Sequence, residues 1–240
     1  MPDFDGPVRR LTLEGKCSDS TADLEEGPMN NKQAEELLRR AYELDGANPE
    51  ETRALYRDWA ETYDGTMLDG LGYVSPKKIA ALAALQLPDK AAAVLDVGCG
   101  TGLLAAYLDE QGFSHIDGLD YSAEMLDVAE KKGRIKQRFL KDLNQPLDME
   151  TEHYAALAST GTFTHGHVGG GCLPGLLALL RQGGLLICTV HQDVWEEGGF
   201  GEALDALVVA NKAEIISRDP DRLFESDDQP TGWYLVVRRV

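Results

Sequence analysis

The chain is short of positive charge. It carries 23 Lys and Arg against 41 Asp and Glu, a formal net charge of −18. A protein that grips a phosphate backbone needs a cationic face to displace condensed counterions, so this balance argues against nucleic acid as substrate or partner. Long apolar runs are also missing. Stretches such as Leu185 to Val190 fall far below the roughly 18 apolar residues that read as a bilayer span, and no membrane contact is expected. The N-terminus carries Asp3 and Asp5 and lacks the apolar core of a secretory signal. Cysteine is sparse and scattered, at Cys17, Cys99, Cys172 and Cys188, with no C-x-x-C pair and no zinc spacing. Neither a disulfide framework nor a metal centre is predicted. These absences describe a reduced, cytoplasmic protein, with the nucleus as the alternative compartment.

What is present is the composition of a soluble folded domain, 43% hydrophobic and 27% charged. Glycine is in excess, 25 of 240 residues, about 10% against a usual ~7%. Residues 1–28 mix Asp, Glu, Ser, Gly and Pro with few aliphatics and read as a disordered acidic tail. From 29 to 240 the chain reads as one domain, a helical cap over 29–88 and an α/β core over 89–240. In the cap, Ala34, Leu37, Leu38, Ala41 and Leu44 recur at helical spacing. Asn48-Pro49 opens a second helix carrying Tyr56, Trp59 and Tyr63, and Ser75-Pro76 opens a third. Past Pro88, strands are predicted at 91–97, 115–119, 135–140, 154–158, 185–190, 213–218 and 233–239. Helices are predicted at 103–111, 123–132, 174–182 and 202–211. Alternating strand and helix predicts a Rossmann-like doubly wound sheet, mostly parallel. The last two strands have no helix between them, so the final strand should pair antiparallel.

The sharpest local feature is Val94-Leu95-Asp96-Val97-Gly98-Cys99-Gly100-Thr101-Gly102-Leu103. A buried strand runs through three alternate glycines into a helix, which lets backbone approach a ligand closely and presents free N–H groups. A dinucleotide fingerprint needs its third glycine at position 103, which is Leu103, and a phosphate loop needs a Lys after Gly102. A nucleoside ligand without phosphates fits better. Asp120 closes the second strand eighteen residues after Gly102, near the ~20 expected of a ribose-binding carboxylate. Ser122 is the better N-cap for the next helix.

These segments resemble class I S-adenosylmethionine-dependent methyltransferases. Gly98-Cys99-Gly100-Thr101-Gly102 is similar to the family's first motif, and Asp120-Tyr121-Ser122 with Met125 and Leu126 to its second. Lys141-Asp142-Leu143 is similar to the adenine-binding position, and Gly183-Gly184 to the turn before the fifth strand. The likeness covers about residues 50–240. It implies S-adenosylmethionine as cofactor, S-adenosylhomocysteine as product, and Asp142 and the Leu143 backbone on adenine. The expected cofactor set is Tyr56, Trp59, Tyr63, Asp96, Gly98, Cys99, Gly100, Gly102, Leu103, Asp120, Tyr121, Met125, Asp142, Leu143 and Thr160. One departure is plain. Many members carry an aspartate entering the fourth strand, and here Ala155 holds that place, removing a polar support of the glycine loop.

For three groups the residues leave alternatives open. Asp96 either orders the glycine loop or touches the methionine end of the ligand. Tyr56, Trp59 and Tyr63 share one helix face, as core aromatics or as a movable roof hinged at Asp64-Gly65 and at Gly70 to Gly72. His165 and His167 lie in a glycine-rich loop after the fourth strand. Either can serve as a catalytic base or substrate contact, or as a plain loop residue. The function expected is methyl transfer to an O or N acceptor, on a small molecule or, in a further reading, on a protein. The alternative is a cofactor-binding module acting through a protein partner, which the sequence leaves unidentified.

Overall fold

The computed structural model describes residues 31–44, 49–164, 168–229 and 231–240. The acidic stretch 1–28, the cap residue Asn48 and both loop histidines, His165 and His167, lie outside the described residues.

The strands are β1 (Val94–Val97), β2 (Ile116–Asp120), β3 (Arg138–Leu140), β4 (Tyr154–Phe163), β5 (Leu180–His191), β6 (Ala213–Asp221) and β7 (Gly232–Arg239). They form one sheet in the order β3-β2-β1-β4-β5-β7-β6. The first five pair in parallel. The last strand, β7, inserts antiparallel between β5 and β6, as the missing helix predicts. Strand order reverses between β1 and β4, and such a switch point opens a crevice beyond the strand ends.

Nine α-helices among the described residues cover the sheet: α1 (Asn31–Glu43), α2 (Pro49–Trp59), α3 (Tyr63–Gly65), α4 (Ser75–Gln86), α5 (Leu103–Glu110), α6 (Ala123–Lys132), α7 (Leu173–Leu179), α8 (Gln192–Glu196) and α9 (Phe200–Val209). A π-helical turn over Thr66–Gly70 continues α3. Strand alternation sorts side chains to two cores. Val94, Ile116, Ala156 and Ile187 meet α2, α4 and α5 on one face. Leu95, Leu157, Leu186 and Cys188 meet α7 and α9 on the other. Leu95 and Leu157 are fully buried, and truncating either to Ala should cost about 2–5 kcal/mol.

Some element ends differ from expectation, each for a physical reason. The fourth strand runs on to Phe163 rather than stopping at Ala158. The helix predicted to reach Gln182 ends at Leu179, because Leu180 already pairs with Tyr154 in the sheet and Gly183 turns at φ +74. Asp64-Gly65, expected to hinge, lies in helical backbone with Gly65 at φ −61. Of the glycines at 70 and 72, only Gly72 takes a left-handed φ, +64.

Candidate active site

Three positive-φ glycines shape the turn after β1: Gly98 at φ +67, Gly100 at φ +50 and Gly102 at φ +79. L-residues rarely adopt this region. Gly98 is also required by contact, since a Cβ there would fall 2.1 Å from Thr162 Oγ1. Around Gly100 nothing lies within 4 Å of an added Cβ, and its backbone lines the cleft.

The support that Ala155 fails to give comes from the far end of β4. Ser159 Oγ donates to Val97 O at 2.7 Å and Thr162 Oγ1 to the same oxygen at 3.0 Å. Against β5, Ser159 pairs with Cys188 and Phe163 with Val190. Four steps on β4 therefore face two on β5, and the chain bulges through Thr160, Gly161 and Thr162. Bulges of this kind re-aim side chains beside functional sites, and all three residues reach the cleft.

Asp120 sits at the centre. Its Oδ2 accepts the Gly100 N–H at 2.8 Å and its Oδ1 the Ser122 N–H at 2.9 Å. A carboxylate has about four acceptor sites, and with the Tyr121 N–H bonded as well one remains for a ligand hydroxyl. Burial raises the Asp120 pKa, opposed by the backbone N–H groups of Ser122, Gly100 and Tyr121. Ser122 Oγ caps α6 by accepting the Met125 N–H at 3.2 Å, which frees Asp120 for the cleft. Asp142 forms an Asx turn through the Asn144 N–H, 2.9 Å from its Oδ1.

The cleft opens to solvent, and the empty space within it and at its mouth comes to about 950 Å³. Of the expected residues, Tyr56, Tyr63, Gly98, Gly100, Asp120 and Tyr121 line it, joined by Met125, Asp142, Leu143 and Thr160. Trp59, Asp96, Cys99, Gly102 and Leu103 do not. Cys99 and Leu103 turn into the interior, and Gly102 caps the start of α5. Asp96 lies beneath the loop, 1% exposed, with its carboxyl accepting the Ala105 N–H. Burial first, then the Asp120 charge, push its pKa up to about 8. The Ala105 bond reaches the first turn of α5 rather than an amide of the glycine loop. Trp59 belongs to the core and to a small recess behind the cleft, stacked on Tyr56 at 6.0 Å and edge-on to Tyr63 at 4.9 Å.

Sequence reasoning missed Thr52 and Arg53, which line the cleft. Extending the Tyr56 face one turn back along α2 would have found both, since positions three and four apart share a face. Arg53 stands 5.8 Å from the centroid of the Tyr121 ring. Nothing in the local pattern marked Ser159 and Thr162. Among the described residues, four buried side-chain polar atoms have no hydrogen-bond partner: Thr52 Oγ1, Trp59 Nε1, Asp96 Oδ2 and Tyr121 OH. Burying such atoms unpaired costs about 1–3 kcal/mol each. Thr52 and Tyr121 both line the cleft, so their orphaned groups mark a place for a polar ligand.

A parallel sheet with a glycine turn at its switch point and an acid closing the second strand defines a nucleoside-cofactor protein of the Rossmann-like class. Comparison narrows the class. The "Methyltransferase domain" family matches residues 94–184. Human methyltransferase-like protein 27 is 33% identical over 186 residues, 74% of this chain and 75% of its own length. The TehB-like SAM-dependent methyltransferase of Corynebacterium glutamicum superposes with a TM-score of 0.60 at 20% identity, covering 78% of this chain and 99% of that one. The 1,6-didemethyltoxoflavin-N1-methyltransferase of Burkholderia thailandensis, solved with 1,6-didemethyltoxoflavin and S-adenosylhomocysteine bound, superposes with a TM-score of 0.56 at 18% identity. It matches 80% of this chain and 90% of its own. The chain belongs to the class I S-adenosylmethionine-dependent methyltransferases, and its cofactor is S-adenosylmethionine.

The residues present fit that cofactor. Asp120 keeps an acceptor site for a ribose hydroxyl, Gly100 leaves its face of the loop open, and Thr52 and Tyr121 bring unpaired hydroxyls. Among the described residues no helix is long and apolar enough to cross a membrane, and no group of three metal-ligating side chains occurs.

Proposed function

We propose that the protein methylates a small molecule. When bound, the cofactor supplies a methyl carbon made electrophilic by a sulfonium. The chain's own residues bind, orient and exclude water. Asp120 holds a ribose hydroxyl. Asp142 and the Leu143 backbone meet the adenine edge. Tyr56 and Tyr63 roof the cleft with aromatic faces that attract a cation. Thr160 and Gly161, thrust forward by the β4 bulge, form the wall toward the acceptor. The enclosed apolar surround raises the effective concentration of acceptor against methyl carbon.

One observation carries the small-molecule reading. Tyr56, Tyr63 and Gly161 wall both the cofactor cleft and a small recess behind it, so the cleft is a concave site edged by aromatic side chains, the kind of surface that takes small ligands. The low positive charge points the same way, away from nucleic acid. The test is incubation of the full chain with cell extract and methyl-labelled S-adenosylmethionine, followed by size fractionation. Label in the low-mass fraction is expected. Label confined to protein or nucleic acid would overturn the reading.

A further inference from the structure

Two carboxyls are buried at the ends of neighbouring parallel strands beneath and beside the glycine turn. Asp96 lies opposite Gly118 in the β1–β2 register, and Asp120 closes β2 two residues later. Asp120 accepts the N–H groups of Gly100, Ser122 and Tyr121. Asp96 has the Ala105 N–H from α5, and its Oδ2 has no hydrogen-bond partner. No cation balances the pair among the described residues. Arg53 and Lys141 line the cleft, but neither is paired with Asp96 or Asp120. Lys132 is taken by Asp64. The other groups around the pair are neutral. Burial and both carboxyls hold the Cys99 thiol well up, and burial does the same for the hydroxyls of Tyr56, Tyr63 and Tyr121. Like charges sharing one buried site do not both ionise, so Asp96 keeps its proton.

The cofactor and its product differ by one charge. The sulfonium of S-adenosylmethionine is positive, and the thioether of S-adenosylhomocysteine is neutral. Gly98 lines the cleft only two residues after Asp96, a span of at most about 7 Å. A positive charge in the cleft therefore acts on Asp96 across buried protein, where charges interact more strongly than in water.

We infer that Asp96 is the residue by which the site tells cofactor from product: S-adenosylmethionine expels the Asp96 proton to solvent and leaves a carboxylate as counter-charge to the sulfonium, whereas S-adenosylhomocysteine leaves the proton in place. When the methyl group departs, the sulfur becomes neutral and Asp96 takes a proton back from solvent. The sign follows from linkage. A ligand that releases protons binds more tightly as pH rises. Preference for cofactor over product therefore grows with pH, until Asp96 is ionised in the free protein near pH 8. Asp96 acts here as a specificity residue through its charge and needs no contact with the ligand. The inference rests on the cofactor and is independent of the acceptor.

The test is calorimetric titration of the full chain with each ligand at pH 7, in phosphate and in imidazole buffer. These buffers differ in ionisation enthalpy, so the difference in heat counts the protons exchanged. S-adenosylmethionine should release about half a proton to one proton more than S-adenosylhomocysteine. Asp96→Asn keeps the shape, cannot ionise, and should erase the excess. Between pH 5.5 and 7.5 the affinity ratio of cofactor to product should rise about three- to tenfold more in the parent than in Asp96→Asn. Titration of the ligands' own amino groups is common to both proteins and cancels in that comparison. Equal proton release by the two ligands overturns the inference, and so does an excess that survives in Asp96→Asn. Should Asp96→Asn fail to fold, the two ligands compared on the parent still decide. Binding of neither ligand breaks the cofactor assignment itself, whereas binding of both without the proton difference breaks only the role of Asp96.

Discussion

Asp120 carries two burdens, bracing the glycine turn through Gly100 and holding a spare acceptor site toward the cleft. Charge-assisted bonds to ribose are the stronger kind, so Asp120→Ala should weaken S-adenosylmethionine binding by about 3 kcal/mol, roughly 100-fold, in calorimetric titration. Unchanged affinity in a folded variant would remove the assignment. Asp96 predicts a pH effect. Folded, it keeps its proton up to about pH 8, whereas in the unfolded chain it releases it near pH 4. Between those values the folded state holds more protons, so the contribution of Asp96 to stability falls as pH rises through the window. Asp120 is raised by burial as well, so the difference between variants is the clean readout. Asp96→Asn should match the parent near pH 4 and exceed it near pH 9 by on the order of 1–3 kcal/mol, in urea unfolding at both values. A gap that does not widen with pH would contradict this. The residues legible in sequence, such as Gly98, Gly100 and Asp120, act through contiguous backbone geometry. Ser159 and Thr162 act on Val97 O across more than sixty residues, and local pattern carries no trace of that.

At the scale of elements, β1 was legible because a parallel strand buried on both faces shows a near-continuous apolar run, here Ala91 to Leu95; β2, Ile116-Asp117-Gly118-Leu119-Asp120, has no such run and was legible only from its place between two helices. The end of β4 was not. Ser159 to Thr164 is mostly polar and reads as loop, and its pairing with β5 together with its hydroxyls on β1 holds it in the sheet. The Tyr63–Gly70 segment shows no helical period. It is fixed by contact, with a Gly70 Cβ position 2.9 Å from Ala34 Cβ. Asp64 also bonds both Thr101 of the glycine loop and Lys132 of α6. We propose that this segment with α2 forms a lid that tightens on the ligand through Tyr56 and Tyr63. Hydrogen exchange across residues 50–75 should slow when S-adenosylhomocysteine is added. Asp64→Ala should speed exchange over 63–72 in the free protein and weaken ligand binding about three- to tenfold, as one or two partly exposed polar contacts imply. Protection already high and indifferent to ligand would show a fixed core element instead.

The whole molecule adds a field. A net charge of −18 attracts cations over roughly the Debye length, about 10 Å at 0.1 M salt and 30 Å at 0.01 M. S-adenosylmethionine carries a sulfonium charge that S-adenosylhomocysteine lacks. Raising salt from about 0.01 M to 0.1 M should therefore weaken binding of the former more than the latter, and titrations at both concentrations would show equal slopes if the field plays no part. Fold class followed from the alternation of strand and helix, and cofactor from the glycine turn and the acid after it. The recess beside the cofactor cleft is assembled mainly from α1, α2, β4, β5 and the 223–224 turn, which no single stretch of sequence displays. Most directly, the account is tested by calorimetric titration of the full chain with S-adenosylhomocysteine. It predicts one saturable site per chain. Absence of any saturable heat from a folded sample would contradict it.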